Sequence, residues 1–143
     1  MASVEIHPDF ETAFAVIADS FPGFEEQLKL DFIRFIDSDR LEYPSYFGSD
    51  SIYNWPQAAE AEAVSHMHIA LPPREFQKSR SLMDRKNPDI DELDTCLVYC
   101  EHAVTRGRIL FLDFFHPGAH KMAHCERTMK RLARNANLFH DDW

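Results

Sequence analysis

The sequence predicts an α+β fold in which N-terminal helices and a C-terminal helix pack on a small antiparallel β-sheet. Three observations carry this. Two apolar stripes at helical spacing occupy the first 38 residues, three short strand-like runs lie between residues 63 and 115, and an amphipathic stretch follows residue 126. The chain has 143 residues, enough to bury a core without disulfides or metal, so a single domain over 1–143 is expected.

The first helix is expected over 9–20, where Phe10, Phe14, Ile17 and Phe21 share a face and Pro22-Gly23 ends the run. The second spans about 24–38. Phe24, Leu28, Phe32, Phe35 and Ile36 form its apolar stripe, and Glu25 and Glu26 sit in the first turn, where the helix dipole favours anions. Residues 39–58 are rich in aromatics and turn formers and read as a compact loop. Residues 63–71 read as a strand that places Val64, His66, His68 and Ala70 on one side. A polar insertion follows over 72–94, of the kind that is either mobile or functional. Residues 95–102 and 108–115 are strands joined by a turn at Arg106-Gly107, and the second is the most apolar stretch of the chain, hence central. From Glu126 to Phe139, Met129, Leu132, Ala133 and Ala136 form the apolar face of a last helix, with Lys130, Arg131 and Arg134 outside.

No apolar run has membrane-spanning length, and the first residues lack a basic and then apolar leader, so a cytoplasmic protein with no membrane association is expected. The cysteines Cys96, Cys100 and Cys125 suit reduced thiols in a reducing compartment. The net charge of −9 is unevenly spread. Residues 1–60 hold three basic and twelve acidic side chains, whereas 74–86 and 102–140 carry a basic excess. Such polarity fits a molecule that turns one face to an anion.

Histidine is the most telling residue type. His66 and His68 project to the same side of a strand, an arrangement that suits an acid–base pair or a metal. His120 and His124 stack on one side of a helix, while Pro117-Gly118 keeps His116 out of it. No glycine-rich phosphate loop and no serine nucleophile elbow is present, which weakens nucleotide-dependent and hydrolase readings.

Five separated motifs resemble the YafO family of type II toxins. They are Phe47-Gly48-Ser49-Asp50 with Tyr53, Trp55-Pro56, Ser65-His66-Met67-His68, Leu97-Val98-Tyr99-Cys100, and Pro117-Gly-Ala-His120-Lys121 before a basic helix. Their order and approximate spacing agree from about residue 22 to 139, which leaves 1–22 as an N-terminal extension. The resemblance implies a RelE-like fold, ribosome-dependent endonucleolytic cleavage of mRNA, a co-encoded antitoxin as partner, and no DNA contact by the toxin alone. It supports His66, His68, Tyr99, His120 and Lys121 as the catalytic set. In chemical terms the RNA 2′-OH is the nucleophile, so imidazoles serve as base and acid, Tyr99 stacks on a base or positions the phosphate, and neither metal nor cofactor is needed. The charge distribution adds Arg106, Arg108, Lys130, Arg131 and Arg134 as RNA contacts. Two other classes fit some of the same residues. His66-x-His68 followed by Pro117-x-x-His120 is similar to the paired histidine motifs of metal-binding cupins, and a non-catalytic binding module of the same fold uses the basic face alone.

Overall fold

The computed structural model describes residues 1–143. Its elements run β1 (Ser3–Ile6), α1 (Pro8–Ala18), α2 (Phe24–Asp37), β2 (Phe47–Ile52), α3 (Gln57–Ala61), β3 (Ser65–Ile69), β4 (Cys96–Glu101), β5 (Arg108–Phe115), α4 (Ala119–Ala123) and α5 (Glu126–His140). The five strands form one open sheet in the order β1-β5-β4-β3-β2. β3, β4 and β5 are antiparallel neighbours, as expected; β2 adds an antiparallel edge beside β3, and β1 a parallel edge beside β5 with Ser3 opposite Arg108.

Both faces of the sheet are covered. On one face, Phe10 and Phe14 of α1 and Phe24, Leu28, Phe32 and Phe35 of α2 pack on Met67, Ile69, Leu97, Tyr99, Phe111 and Phe114. On the other, Met129, Leu132, Ala136 and Phe139 of α5 pack on Val98, Cys100, Leu110 and Leu112. The first layer is built from rings at close range, such as Phe32 against Tyr99 at 4.8 Å and against Phe111 at 5.3 Å between centroids. Edge-to-face geometry lets such rings stabilise the core beyond their buried area. α5 is fixed to the rest by Arg131, which donates to Asp9 of α1 (2.6 Å) and Asp113 of β5 (2.9 Å).

The helices and the three expected strands lie within two or three residues of the sequence reading. Two strands and the short helix α3 were not expected, while α4 carries His120 as the histidine spacing implied. β1 is only four residues long, and its alternation is too brief to separate from a loop. β2 reads Phe-Gly-Ser-Asp-Ser-Ile, a composition of low strand propensity, and it exists because its backbone pairs with β3 across a register shift between Phe47 and Asp50. The stretch 1–18 is integral to the sheet and the core, since β1 pairs with β5 and Phe10 is fully buried. The insertion over 72–94 is equally anchored. Its Arg85 is 4% exposed and stacks on Tyr43 at 4.8 Å, and the Asn87 side-chain amide donates to the carbonyls of Thr95 (2.8 Å) and Ile69 (3.4 Å).

Gly48 is where this insertion meets the sheet. A Cβ there would lie 2.6 Å from the Arg85 carbonyl oxygen and 2.8 Å from the His68 Cβ. Gly48→Ala should therefore push the 85–87 segment off β2 and cost about 1–3 kcal/mol. Chemical denaturation would measure this, and an unchanged midpoint would refute the close approach.

Candidate active site

β3 carries the site. Its Ser65, Met67 and Ile69 turn toward the α1–α2 layer, and Val64, His66 and His68 turn toward the α5 side. Ala70, expected on the histidine side, packs in the α1–α2 layer because regular pairing ends at Ile69. α5 covers Val98 and Cys100 on β4 but stops short of the two imidazoles, which lie half-buried in a cleft. α4 forms the opposite wall. The Asp94 carboxylate accepts the His120 backbone N–H (2.7 Å), and the Asp94 carbonyl accepts that of Ala119 (3.1 Å). The cleft has two adjoining lobes of about 400 and 460 Å³ that share His66, His68, Asp94 and His120. Tyr53, Trp55, Cys96 and His124 extend the first lobe, and Ser51, Lys86 and Asn87 extend the second.

The imidazoles are held in different ways. The His66 ring stacks on Tyr53 at 4.0 Å and 14°, its Nε2 lies 3.5 Å from Ser51 Oγ, and its Nδ1 is buried with no partner. Burial, then the neighbouring His68 and His120, lower its pKa to about 4 from 6.5. His66 is thus neutral at pH 7. His68 sits 6.2 Å from His66 between ring centroids. Its Nδ1 accepts the Asn87 backbone N–H (3.2 Å), so the neutral ring carries its proton on Nε2. Burial lowers its pKa as well, opposed by Asp94 and assisted by Lys86 and His120. The His120 ring makes no protein hydrogen bond and is exposed on the α4 wall. His124 donates from Nδ1 to the His120 carbonyl (2.7 Å), which leaves its Nε2 free.

Of the residues singled out from sequence, His66, His68 and His120 meet in the cleft and the others do not. Tyr99 points into the opposite layer and is 1% exposed, so no ring face is open to a base. Its hydroxyl donates to Asp50 and accepts from Arg40, which ties β4 to β2 and the end of α2. The two faces of β4 look equally apolar in sequence, so which one Tyr99 occupies is set only by pairing with β3 and β5. Lys121 shares α4 with His120 but turns outward, 76% exposed, to pair with Asp91 at 2.7 Å. Arg106 lies at the far end of the sheet, beside Ala2 and Asp37. Arg108 is held by Glu5 (2.6 Å) and Asp142 (2.8 Å). Arg131 is committed to Asp9 and Asp113, and Lys130 pairs with Glu126 (3.1 Å). Arg106 and Arg134 carry no ion pair, and Arg134, with Lys130, borders a separate groove between α3 and α5.

The sequence reading passed over Lys86, Asn87 and Asp94 as site residues. Lys86 was visible only as one of five cations in a basic run, and nothing in the sequence says that this run folds back beside β3. One donor set could hold a metal: His68, Asp94 and Cys96 place one ligand atom each within 4.8 Å of one another. The fit is imperfect. Ligation through His68 Nε2 displaces its proton toward the Nδ1 that already accepts from Asn87, and burial raises the Cys96 thiol pKa well above its usual value.

An open, two-faced sheet with an imidazole-lined cleft toward one edge defines an α+β protein whose cleft gathers groups suited to proton transfer. The sequence model of the family described as "Toxin YafO, type II toxin-antitoxin system" matches residues 33–141, and the chain belongs to that family. It is also 28% identical over 118 residues to the mRNA interferase toxin YafO of Escherichia coli (strain K12), covering 80% of this chain and 83% of that relative. No solved structure matches. Membership in a type II toxin–antitoxin family implies an antitoxin protein as partner. No helix is long and apolar enough to cross a membrane.

Two measurements check this geometry. In an NMR titration of the free protein, His66 should titrate near pH 4, and a value at or above 6.5 would contradict its burial beside two other imidazoles. Because its folded pKa lies below its unfolded one, the stability it contributes is complete above pH 6.5. That contribution is lost as pH falls to 4 and below, on the order of 3 kcal/mol. Tyr99→Phe should leave Asp50 without its phenolic donor and lower stability by about 1–3 kcal/mol while leaving the cleft intact. Thermal unfolding together with the His66 and His68 ring signals would report both effects.

Proposed function

We propose that this cleft cleaves mRNA on the ribosome by intramolecular transesterification, a reading supported by the likeness to an mRNA interferase toxin of Escherichia coli. The observation that carries the reading is the convergence of His66, His68 and His120 from two facing walls, with Lys86 at the rim. RNA supplies its own nucleophile, so the protein must remove the 2′-OH proton, protonate the 5′-leaving oxygen, and hold the charge of the phosphorane between them.

The arrangement divides these tasks. His66 is neutral at physiological pH and takes the 2′-OH proton through Nε2. The approaching phosphate makes it a stronger base than in the free protein, because a nearby negative charge favours the imidazolium. His68, with its proton fixed on Nε2 by the Asn87 N–H, donates to a non-bridging phosphoryl oxygen. His120, free of protein hydrogen bonds on the opposite wall, delivers a proton to the leaving oxygen. Lys86 offsets the phosphate charge, since Lys121 and Arg108 are held in ion pairs and Arg106 lies at the far end of the sheet. The RNA path runs over the cleft between β3 and α4, and the antitoxin neutralises the toxin by covering it.

The metal-binding reading has one observation in its favour, the His68–Asp94–Cys96 donor set. The fold does not add to it, since the sheet is open with β1 and β2 at its edges, whereas cupins close two sheets into a jelly roll. Elemental analysis of the purified protein separates the two. About one zinc, iron or manganese per chain, lost on His68→Ala, would replace the imidazole mechanism, whereas no stoichiometric metal is expected if imidazoles carry the protons.

Induced expression without antitoxin should halt bacterial growth and fragment translated messages. His66→Ala/His68→Ala and His120→Ala should each restore growth, with cleavage rates lower by about 100-fold or more, as expected for loss of a general acid or base. Lys121→Ala and Arg106→Ala should remain toxic. Full toxicity of a folded His66→Ala/His68→Ala protein would remove the cleft from the reaction.

A further inference from the structure

Two aromatic pairs line the first lobe of the cleft, and they differ. Tyr53 and His66 form a closed stack, 4.0 Å apart and nearly parallel, with Tyr53 buried. Trp55 and His124 form an open pair, with ring centroids 6.5 Å apart and planes 34° from each other. Trp55 is 45% exposed although both Tyr53 and Pro56 beside it are buried. An indole on a cleft wall with half its surface in water is not explained by the core, which it does not join.

The dimensions of the open pair fit an inserted ring. Stacked bases lie about 3.4 Å apart, so one base between two rings needs about 7 Å. The Trp55 and His124 ring centroids are within about 0.5 Å of that spacing, and parallel walls require the exposed indole to turn through the 34° between the two planes. His124 is a fixed wall, because its Nδ1–H is held by the His120 carbonyl at 2.7 Å. It also stands 5.6 Å from the His120 ring, so anything between His124 and Trp55 lies next to the group that faces the phosphate. The chemistry of the two lobes differs accordingly. The lobe around Ser51, Lys86 and Asn87 is polar, with the Lys86 cation near the carboxylates of Asp89 and Asp94, and the lobe around Tyr53, Trp55 and His124 is aromatic. A nucleotide likewise joins a polar part, its sugar and phosphate, to a flat base.

We propose that Trp55 and His124 are the walls of a slot that takes one unpaired nucleobase of the RNA, on the nucleotide flanking the cut. The inference rests on the RNA-cleaving reading of the cleft and names how that site grips its substrate. The base must be unpaired, since a base in a duplex has both faces covered by its neighbours. Stacking is tolerant of base identity but grows with ring area, so a purine is held more tightly than a pyrimidine. The slot supplies the stacking contact that the buried Tyr99 cannot.

Single-turnover cleavage of mRNA on programmed ribosomes, with toxin concentration varied, tests this directly. Trp55→Ala should raise the half-saturating concentration about 10-fold or more, the usual consequence of losing one base–aromatic stack. Trp55→Phe should stay within about 3-fold of the parent, because a phenyl ring still stacks. On messages carrying a single abasic nucleotide, moved stepwise through the positions flanking the cut, one position should make the parent and Trp55→Ala cleave alike. Three results would overturn the slot: equal half-saturation for Trp55→Ala and the parent on intact message, a Trp55→Phe defect as large as that of Trp55→Ala, or a Trp55→Ala defect that persists at every abasic position. The last outcome would assign Trp55 to contact with a protein or ribosomal surface. Failure of the folded parent to cleave at all would instead overturn the RNA-cleaving reading itself, whatever the behaviour of the variants.

Discussion

β4 and β5 carry apolar side chains on both faces, and this forces the rest of the architecture. Leu97, Tyr99, Ile109 and Phe111 on one side and Val98, Cys100, Leu110 and Leu112 on the other must all leave water. Two separate layers are therefore required, and α1–α2 and α5 provide them. Burial of this many large side chains, each contributing about 1.5–3 kcal/mol, is the main term that opposes chain entropy. β3 lies one strand out from this doubly covered centre. Its inner face is sealed by α1–α2, but its outer face reaches past the cover of α5. Polar residues are tolerable there, and the imidazoles of His66 and His68 occupy that half-covered strip.

Partial cover gives the histidines their chemistry. Full exposure would leave them near their ordinary pKa with no fixed orientation, and full burial would close them to substrate. In the strip between, burial and mutual repulsion keep His66 neutral, and the Asn87 N–H selects the tautomer of His68. The segment that delivers Asn87 and Lys86 comes from the polar insertion, locked in place by the buried Arg85 and by the close approach of Gly48. α4 reaches the cleft because Asp94, at the end of that insertion, binds the backbone of Ala119 and His120. The site is thus assembled from β3, α4 and an irregular loop, with each piece held by hydrogen bonds to backbone.

The fold was largely legible in the sequence, because the helices and the central strands announce themselves by period and by length. Phe10, Phe14, Leu28, Phe32 and Phe35 were placed in the core by spacing alone, and so they are. What periodicity could not reveal was pairing. β2 is a strand by backbone contact with β3 rather than by composition, and β1 is too short to show alternation. The same limit governs the site. His66 and His68 on one side of a strand follow from a period of two, but the meeting with His120 depends on how residues 86–94 fold back. Tyr99 shows the converse: a side chain of suitable chemistry sits on the wrong face, a choice decided by register. The cations were the least legible, because sequence shows a charge but not its partner. Arg108, Arg131 and Lys121 each stand against carboxylates that are far away along the chain, and Lys86 emerges as the cation at the cleft.

The central claim is that the cleft uses the RNA's own 2′-OH as nucleophile. The most direct test is cleavage of a ribosome-bound message that carries one 2′-deoxyribose at the mapped cut, with the fragment ends determined on the all-ribose control. The account predicts that the deoxy position resists cleavage, and that the control yields an upstream fragment ending in a 2′,3′-cyclic phosphate or its 3′-phosphate and a downstream fragment with a 5′-hydroxyl. Cleavage at the deoxy position, with a 3′-hydroxyl upstream and a 5′-phosphate downstream, would contradict it.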